Sequence, residues 1–561
     1  MATGNVTARL LISSDIPLLQ FDGENLSVTA AGATTDILQY RVEIPDEPNW
    51  LAWGLRLDGP VSGRPGIIIR RGLPVESASG LSVNSDLIDW PFGHLWVQTD
   101  DFTKLKNDPL MPTTSPDRDR SQQFFMASRE RPLQPGTYFI VIDNRGTNLI
   151  SPRTFTLRTF AVGEGYTIPV NDLSEVGAQS SIDISTPRMP AVYKITVPPL
   201  TRGWAVSLTP TVGDFTLRAR YGSIPDPVND TNYPDAKGGV HVQKSGDERF
   251  TLLPKPGEAY LQEGDYYIMA VSEGQNPTLS TLVLGIDGVL GTITNQGPIE
   301  VMPLGTVTES GLAEPVTLAP AEVRLFTVDV PAGINNLEFR LKDRSGEANI
   351  AILRGTQVPK PGISESYGVF GGDTVPTSLK DRSIVNLGNP QPGIYTIAVR
   401  AAGTLPSSYA PSSATLAINI IKPSPLNFAS ELNEGNGLSN IDARTLSDKE
   451  KFSYRVPIPR QIDGKAVLGW LLTLDQGNPI VRVYKSELDF GTAAPATMVG
   501  RSLLIVPPFL TFDTNWFIEV EGQGTTDYIL RSEPVRLTAA PWTLPAAFNQ
   551  LAGDTSPGAP D

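Results

Sequence analysis

The stretch QPGTYFIVID (Gln134–Asp143) returns as QEGDYYIMAV (Gln262–Val271) and QPGIYTIAVR (Gln391–Arg400), with a blurred fourth version in DTNWFIEVEG (Asp513–Gly522). The anchors Tyr138, Tyr266, Tyr395 and Trp516 stand 128, 129 and 121 residues apart. In the three clear copies a glycine turn leads into a nearly unbroken apolar run, and Trp516–Val520 keeps the run. An apolar run without polar alternation suits a central strand covered on both faces. Recurrence at a fixed period marks repeated structural units.

Two further segments recur in the same order. An aromatic is followed five residues later by proline in Tyr40–Pro45, Tyr193–Pro198, Phe326–Pro331 and Tyr454–Pro459, with apolar residues at alternate positions. That period of two predicts a strand with one face in a core and one in water, and the proline ends it. A second strand then runs into a glycine–proline turn in PGIIIRRGLP, FTLRARYGSIP and ANIAILRGTQVP. PIVRVYKSELD is the degenerate fourth copy, with Ser486 near the place of Gly72, Gly222 and Gly355. After the anchor strand each copy closes with a last strand, TFTLRTF, STLVLGI, ATLAINI or DYILRSE.

The chain has 561 residues, enough for several cores, and its 50 Pro and 51 Gly disfavour long helices. The expected fold is all-β: four tandem β-sandwich domains of jelly-roll or Greek-key type in an elongated array. The expected divisions are 1–162, 163–286, 287–422 and 423–538, with 539–561 as a tail or the start of a truncated fifth repeat. A net charge of −15 disfavours nucleic-acid partners, whose phosphates need Lys and Arg, and anionic lipid surfaces. Cysteine is absent, so disulfides, thiolate zinc sites and cysteine nucleophiles are excluded. No stretch reaches the roughly 18 apolar residues of a membrane span. The start MATGNVTARLLISSD lacks the basic and apolar regions of a signal peptide, so a signal is absent or has been removed.

The three segments together resemble the bacterial pre-peptidase C-terminal (PPC) domain, a small β-sandwich appended to secreted peptidases and large surface proteins. The resemblance covers nearly the whole chain. It is fullest over 287–422, where VRLFTVDVP, GEANIAILRGTQVP and QPGIYTIAV stand in order, and faintest over 423–538. It implies a secreted or cell-surface bacterial protein. Family members often carry acidic residues before the first strand, and some bind calcium there. Here TTDILQY, RMPAVYK, PAEVRLF and SDKEKFSY share no acidic pair, leaving Asp36 and Asp448 as weak calcium candidates beside their reading as ordinary turn acids.

Chemistry is scarce. The two histidines, His94 and His241, adjoin no G-x-S-x-G, and no H-E-x-x-H or Walker loop occurs. Four sandwiches use up the length, so no separate catalytic domain is expected and no catalytic residue is assigned. The first copy breaks the pattern: Gly72 to Tyr138 spans 66 residues, against 44 from Gly222 to Tyr266 and 40 from Gly355 to Tyr395. This insertion (87–130) holds Trp90, Phe92, His94, Trp96 and Phe102. Its aromatics suit an extra strand or flap over the sandwich end, a protein interface, or a platform for sugar rings. The expected function is a non-catalytic structural or adhesive segment of a large extracellular protein, with itself or neighbouring domains as partners. The alternative is an accessory module that binds polysaccharide or protein for a secreted enzyme.

Overall fold

The computed structural model describes residues 15–536 apart from internal stretches, of which 75–93, 97–121, 226–238, 275–288 and 360–382 are the longest. The described chain is all-β, with two short 3-10 turns at Ser430–Asn433 and Glu487–Asp489. Its eight large sheets form four pairs, drawn from strands between residues 18 and 163, 170 and 298, 301 and 420, and 424 and 535.

Every unit follows one plan. With strands counted in chain order, and the small hairpin Gln461–Ile462 with Lys465–Ala466 of the fourth unit left out of the count, one sheet runs first–third–eighth–fifth–sixth and the other second–ninth–fourth–seventh. In the third unit no sixth strand occurs among the described residues. Eight strands interleaved in this way make a jelly roll. The first strand is an addition, pairing parallel to the third in all four units, as in Val170–Asp172 beside Ala191–Val197.

The quoted repeat is the eighth strand: Gly136–Asp143, Gly264–Gly274, Gly393–Ala401 and Thr514–Glu521. It lies between the third and fifth strands, as its unbroken apolar run predicts. Tyr138 through Ile142 are all buried. Each tyrosine also ties its strand to the turn before it. The hydroxyl of Tyr138 donates to Gln134 O at 2.8 Å, Tyr266 to Gln262 O at 3.1 Å, and Tyr395 to Gln391 O at 2.9 Å. The buried phenol thereby keeps a partner for its one polar atom, the device of a tyrosine corner. Burial pushes Tyr138 and Tyr266 up to about 12. In the fourth unit Trp516 Nε1 donates to Thr511 O at 3.0 Å, so a different side chain makes the same kind of tie.

Glycine earns its place in the repeat at two turns. Gly136, Gly264 and Gly393 enter the eighth strand at φ of 122°, 119° and 125°, which side chains resist. Gly72, Gly222 and Gly355 follow the fifth strand with φ of 80°, 67° and 94°. Each donates its N–H to the eighth strand's first turn, at Thr137 O, Asp265 O and Ile394 O. In the fourth unit Ser486 stands there and caps the Glu487–Asp489 turn instead.

One expected boundary moves. The strand Val289–Pro298 pairs with Gln179–Ile184 and Trp204–Val212, so the second unit runs past residue 286 and the third starts near 301. Buried Asn295 fixes this strand: its carbonyl accepts from Trp204 Nε1 at 2.7 Å and its amide donates to Leu173 O at 2.8 Å. STLVLGI, read as the closing strand, lies outside the described residues, as does the tail from 537. The divisions expected near 162 and 422 fall beside the strand ends Gly163 and Ile420.

Candidate functional site

Of the aromatic candidates in the first unit, Trp90, Phe92 and Phe102 lie outside the described residues. His94 and Trp96 belong to the sixth strand, His94–Trp96, which pairs with Gly66–Arg71 through Ile67↔Trp96 and Ile69↔His94 at the end of the sheet order. Farther along the expected insertion, Gln122–Ala127 is the seventh strand of the opposite sheet. The segment therefore contains a sixth strand, as the second and fourth units do, and a seventh strand, as every unit does, with longer connections around them.

Asp36 is also outside the described residues. The Asp448 carboxylate accepts from Gly524 N at 2.7 Å and so pins a neighbouring turn. No group of three or more His, Cys, Asp or Glu able to hold a metal occurs among the described residues.

The structure concentrates its unexpected features between the units. The outer face of the first sheet in units two and three is apolar, and the preceding unit covers it. Val192 and Met269 of the second unit pack with Ala52, Phe160 and Val162 of the first. Leu325 and Ala398 of the third pack with Leu253 of the second, and Arg202 donates across this junction to Thr356 O at 2.6 Å. The junction of units three and four is ionic. Arg340 meets Glu338 on its own strand and Glu450 of the next unit, both at 2.7 Å. The burial of Glu450 alone would raise its carboxyl, but Arg340 and the Ser447 N–H outweigh that and hold it below its ordinary value.

The fourth unit repeats the receiving surface, and no further unit covers it among the described residues. In the second unit Leu253 follows the seventh strand Glu248–Leu252, lies over Gly203, and is 7% exposed beneath the third unit. In the fourth unit Val506 follows the seventh strand Ser502–Ile505, lies over Gly469, and is 41% exposed. Leu468, Leu504 and Phe509 stand beside it at 39%, 56% and 71%. Large apolar side chains thus lie exposed together at this end of the fourth unit.

The fourth unit also buries a polar chain. Tyr454 donates to Asp442 Oδ2 at 2.6 Å and shares a 2.6 Å hydrogen bond with Tyr528, while Arg444 Nε reaches Asp442 at 2.6 Å. Burial drives both phenols upward, Tyr528 to about 12. Neutral phenols held this way serve as hydrogen-bonding cross-links between strands rather than as bases.

No protein-family model matches the chain, and no curated protein matches it either. Solved structures with local likeness include the CUB1-EGF-CUB2 domain of human MASP-1/3, at 13% identity over 44% of this chain and 99% of that one, with a TM-score of 0.14. Broad bean stain virus is another, at 10% identity over 48% of this chain and 90% of that one, with a TM-score of 0.13. Likeness at that level carries no argument about what this chain does.

Proposed function

We propose that this chain is a non-catalytic structural or adhesive segment of a large extracellular bacterial protein, an array of jelly rolls that associates with further copies of itself. The resemblance of its repeat to PPC domains supports the setting. The observation that carries the reading is the succession of built junctions, two apolar and one ionic, which restrain each unit against the next. Repeat arrays gain stiffness from such nearest-neighbour contacts.

The open patch at Leu468, Leu504, Val506 and Phe509 is where a second copy docks. Leu504 lies on the seventh strand, the last in its sheet order, and the stretch Ser502–Val506 carries no charge or proline to discourage edge pairing. An apolar edge of this kind meets its own twin about a two-fold axis. Small-angle scattering and sedimentation over a concentration series test both parts. The expected particle is elongated and dimerises as concentration rises, and Leu504→Asp keeps it monomeric. A compact particle, or one that stays monomeric throughout, overturns the proposal.

A second reading draws on the placement of His94–Trp96. An aromatic-rich segment at the end of a sheet order fits an accessory module that holds polysaccharide or protein. Pull-down on insoluble glycans and collagen, repeated with Trp90→Ala and Trp96→Ala, tests it; retention that survives both substitutions removes the reading.

A further inference from the structure

The cleft between the first and second units contains an arrangement that neither strand pairing nor unit docking explains. It encloses about 420 Å³, the size of a small-molecule site. Arg56 and Arg158 line it, on the fourth and ninth strands of the first unit, and they are direct cross-strand partners. Like charges opposite one another on a sheet repel. Arg56 is 5% exposed and already holds a polar or electrostatic interaction of its own. Arg158 is bonded through a terminal nitrogen to Thr167 Oγ1 at 3.3 Å, while its Nε is buried without a hydrogen-bond partner among the described residues. A buried guanidinium N–H without an acceptor is costly. Among the described residues Asp183 is the one carboxylate in the lining, where Asn171 and Ser181 add neutral polar groups. Among the described lining residues the partly enclosed space thus has two guanidinium groups and one carboxylate.

We infer that this cleft binds a small carboxylate, with the carboxyl group seated on Arg158 and the charge of Arg56 behind it. The planar fork of a guanidinium matches a carboxylate better than it matches a spherical anion. The amide and hydroxyl of Asn171 and Ser181 favour a ligand that also carries hydroxyl groups, so a hydroxylated sugar acid is the class that fits. The inference stands apart from self-association: the cleft is at the other end of the chain from the open patch and needs no second copy.

Calorimetric titration of the full chain with sodium glucuronate, with inorganic sulfate and sodium chloride as comparison arms, tests it. The expected result is saturable glucuronate binding with a dissociation constant of about 1 mM or tighter, and weaker binding of sulfate. Arg158→Gln lowers affinity about tenfold, as loss of a charge-assisted hydrogen bond does. Arg158→Lys keeps the charge but loses most of the affinity. Asp183→Asn, which removes the competing carboxylate, raises it. Circular dichroism on each variant shows whether the sandwich is intact. Absence of saturable glucuronate binding, equal binding of all three salts, or unchanged affinity in a folded Arg158→Gln protein overturns the inference.

Discussion

The second and third units meet their predecessors through grease, and the fourth meets its predecessor through charge. The contrast is visible at one cross-strand pair on the outer face of the first sheet. That pair is Val192↔Met269 in the second unit, Leu325↔Ala398 in the third and Ser453↔Glu519 in the fourth. The first two pairs are covered by a neighbouring sandwich. In the fourth, Glu519 is 2% exposed and held between Lys451 at 3.1 Å and Arg482 at 3.0 Å, with Arg482 also meeting Glu521 at 2.7 Å. One fold thus carries two kinds of joint, and the outer face of the first sheet differs along with them.

The strongest way to break the comparison is to move the fourth unit's residue into the third. Ala398→Glu places a carboxylate inside the apolar junction, against Leu325 and Leu253. Burying a charge among these apolar side chains is expected to cost about 4 kcal/mol. Calorimetry would then resolve the third unit as a separate transition, while the second–third contact is lost. A single unshifted transition would show that this junction contributes little to stability.

The ionic joint breaks by a different route. Arg340→Met leaves Glu338, which is 4% exposed, and Glu450 facing each other without their cation. The expected loss is about 3 kcal/mol, because removing one member of a buried set strands the others. Acid should act on the same joint. The carboxyl of Glu450 lies below its ordinary value, so the stability it contributes is present above the unfolded value near 4.5 and is lost as pH falls through the folded one. Hydrogen exchange followed from pH 6 down to about pH 3 should show residues 447–450 opening before the apolar junctions do. Opening of all three joints together would remove the distinction.

Much of this was legible in the sequence, for reasons that can be named. The eighth strand is buried on both faces and opens with a tyrosine tie to the turn before it, so its code survives as an apolar run after a glycine turn. The third strand, half in water, survives as alternation. The first strands were invisible because pieces as short as Leu18–Leu19 and Ser424–Pro425 pair parallel and leave no period to detect. The end of the second unit was misread because Val289–Pro298 has glycine twice and a buried asparagine where a closing strand would show apolar residues. The cleft could not be read at all. Arg56 and Arg158 look like the solvated alternates of two unrelated strands until the register Arg56↔Arg158 sets them side by side. The aromatic insertion drew attention by composition, which says nothing of where a strand pairs.

A smaller effect sharpens the comparison within the eighth strands. Tyr266→Phe removes the hydroxyl that donates to Gln262 O and leaves the ring in place. The expected loss is about 1 kcal/mol, the net worth of one such hydrogen bond. Trp516→Phe in the fourth unit removes its equivalent tie to Thr511 O together with part of a ring that packs edge-on against Trp470 at 5.9 Å, so it should cost more than the tyrosine change. Chemical denaturation of the two variants beside the wild-type chain measures the difference. If the two losses are equal, the tie accounts for the repeat at this position and ring packing adds nothing. If Tyr266→Phe costs nothing, the tyrosine recurs for its ring alone, and the turn before the eighth strand of the first three units is held by its glycine.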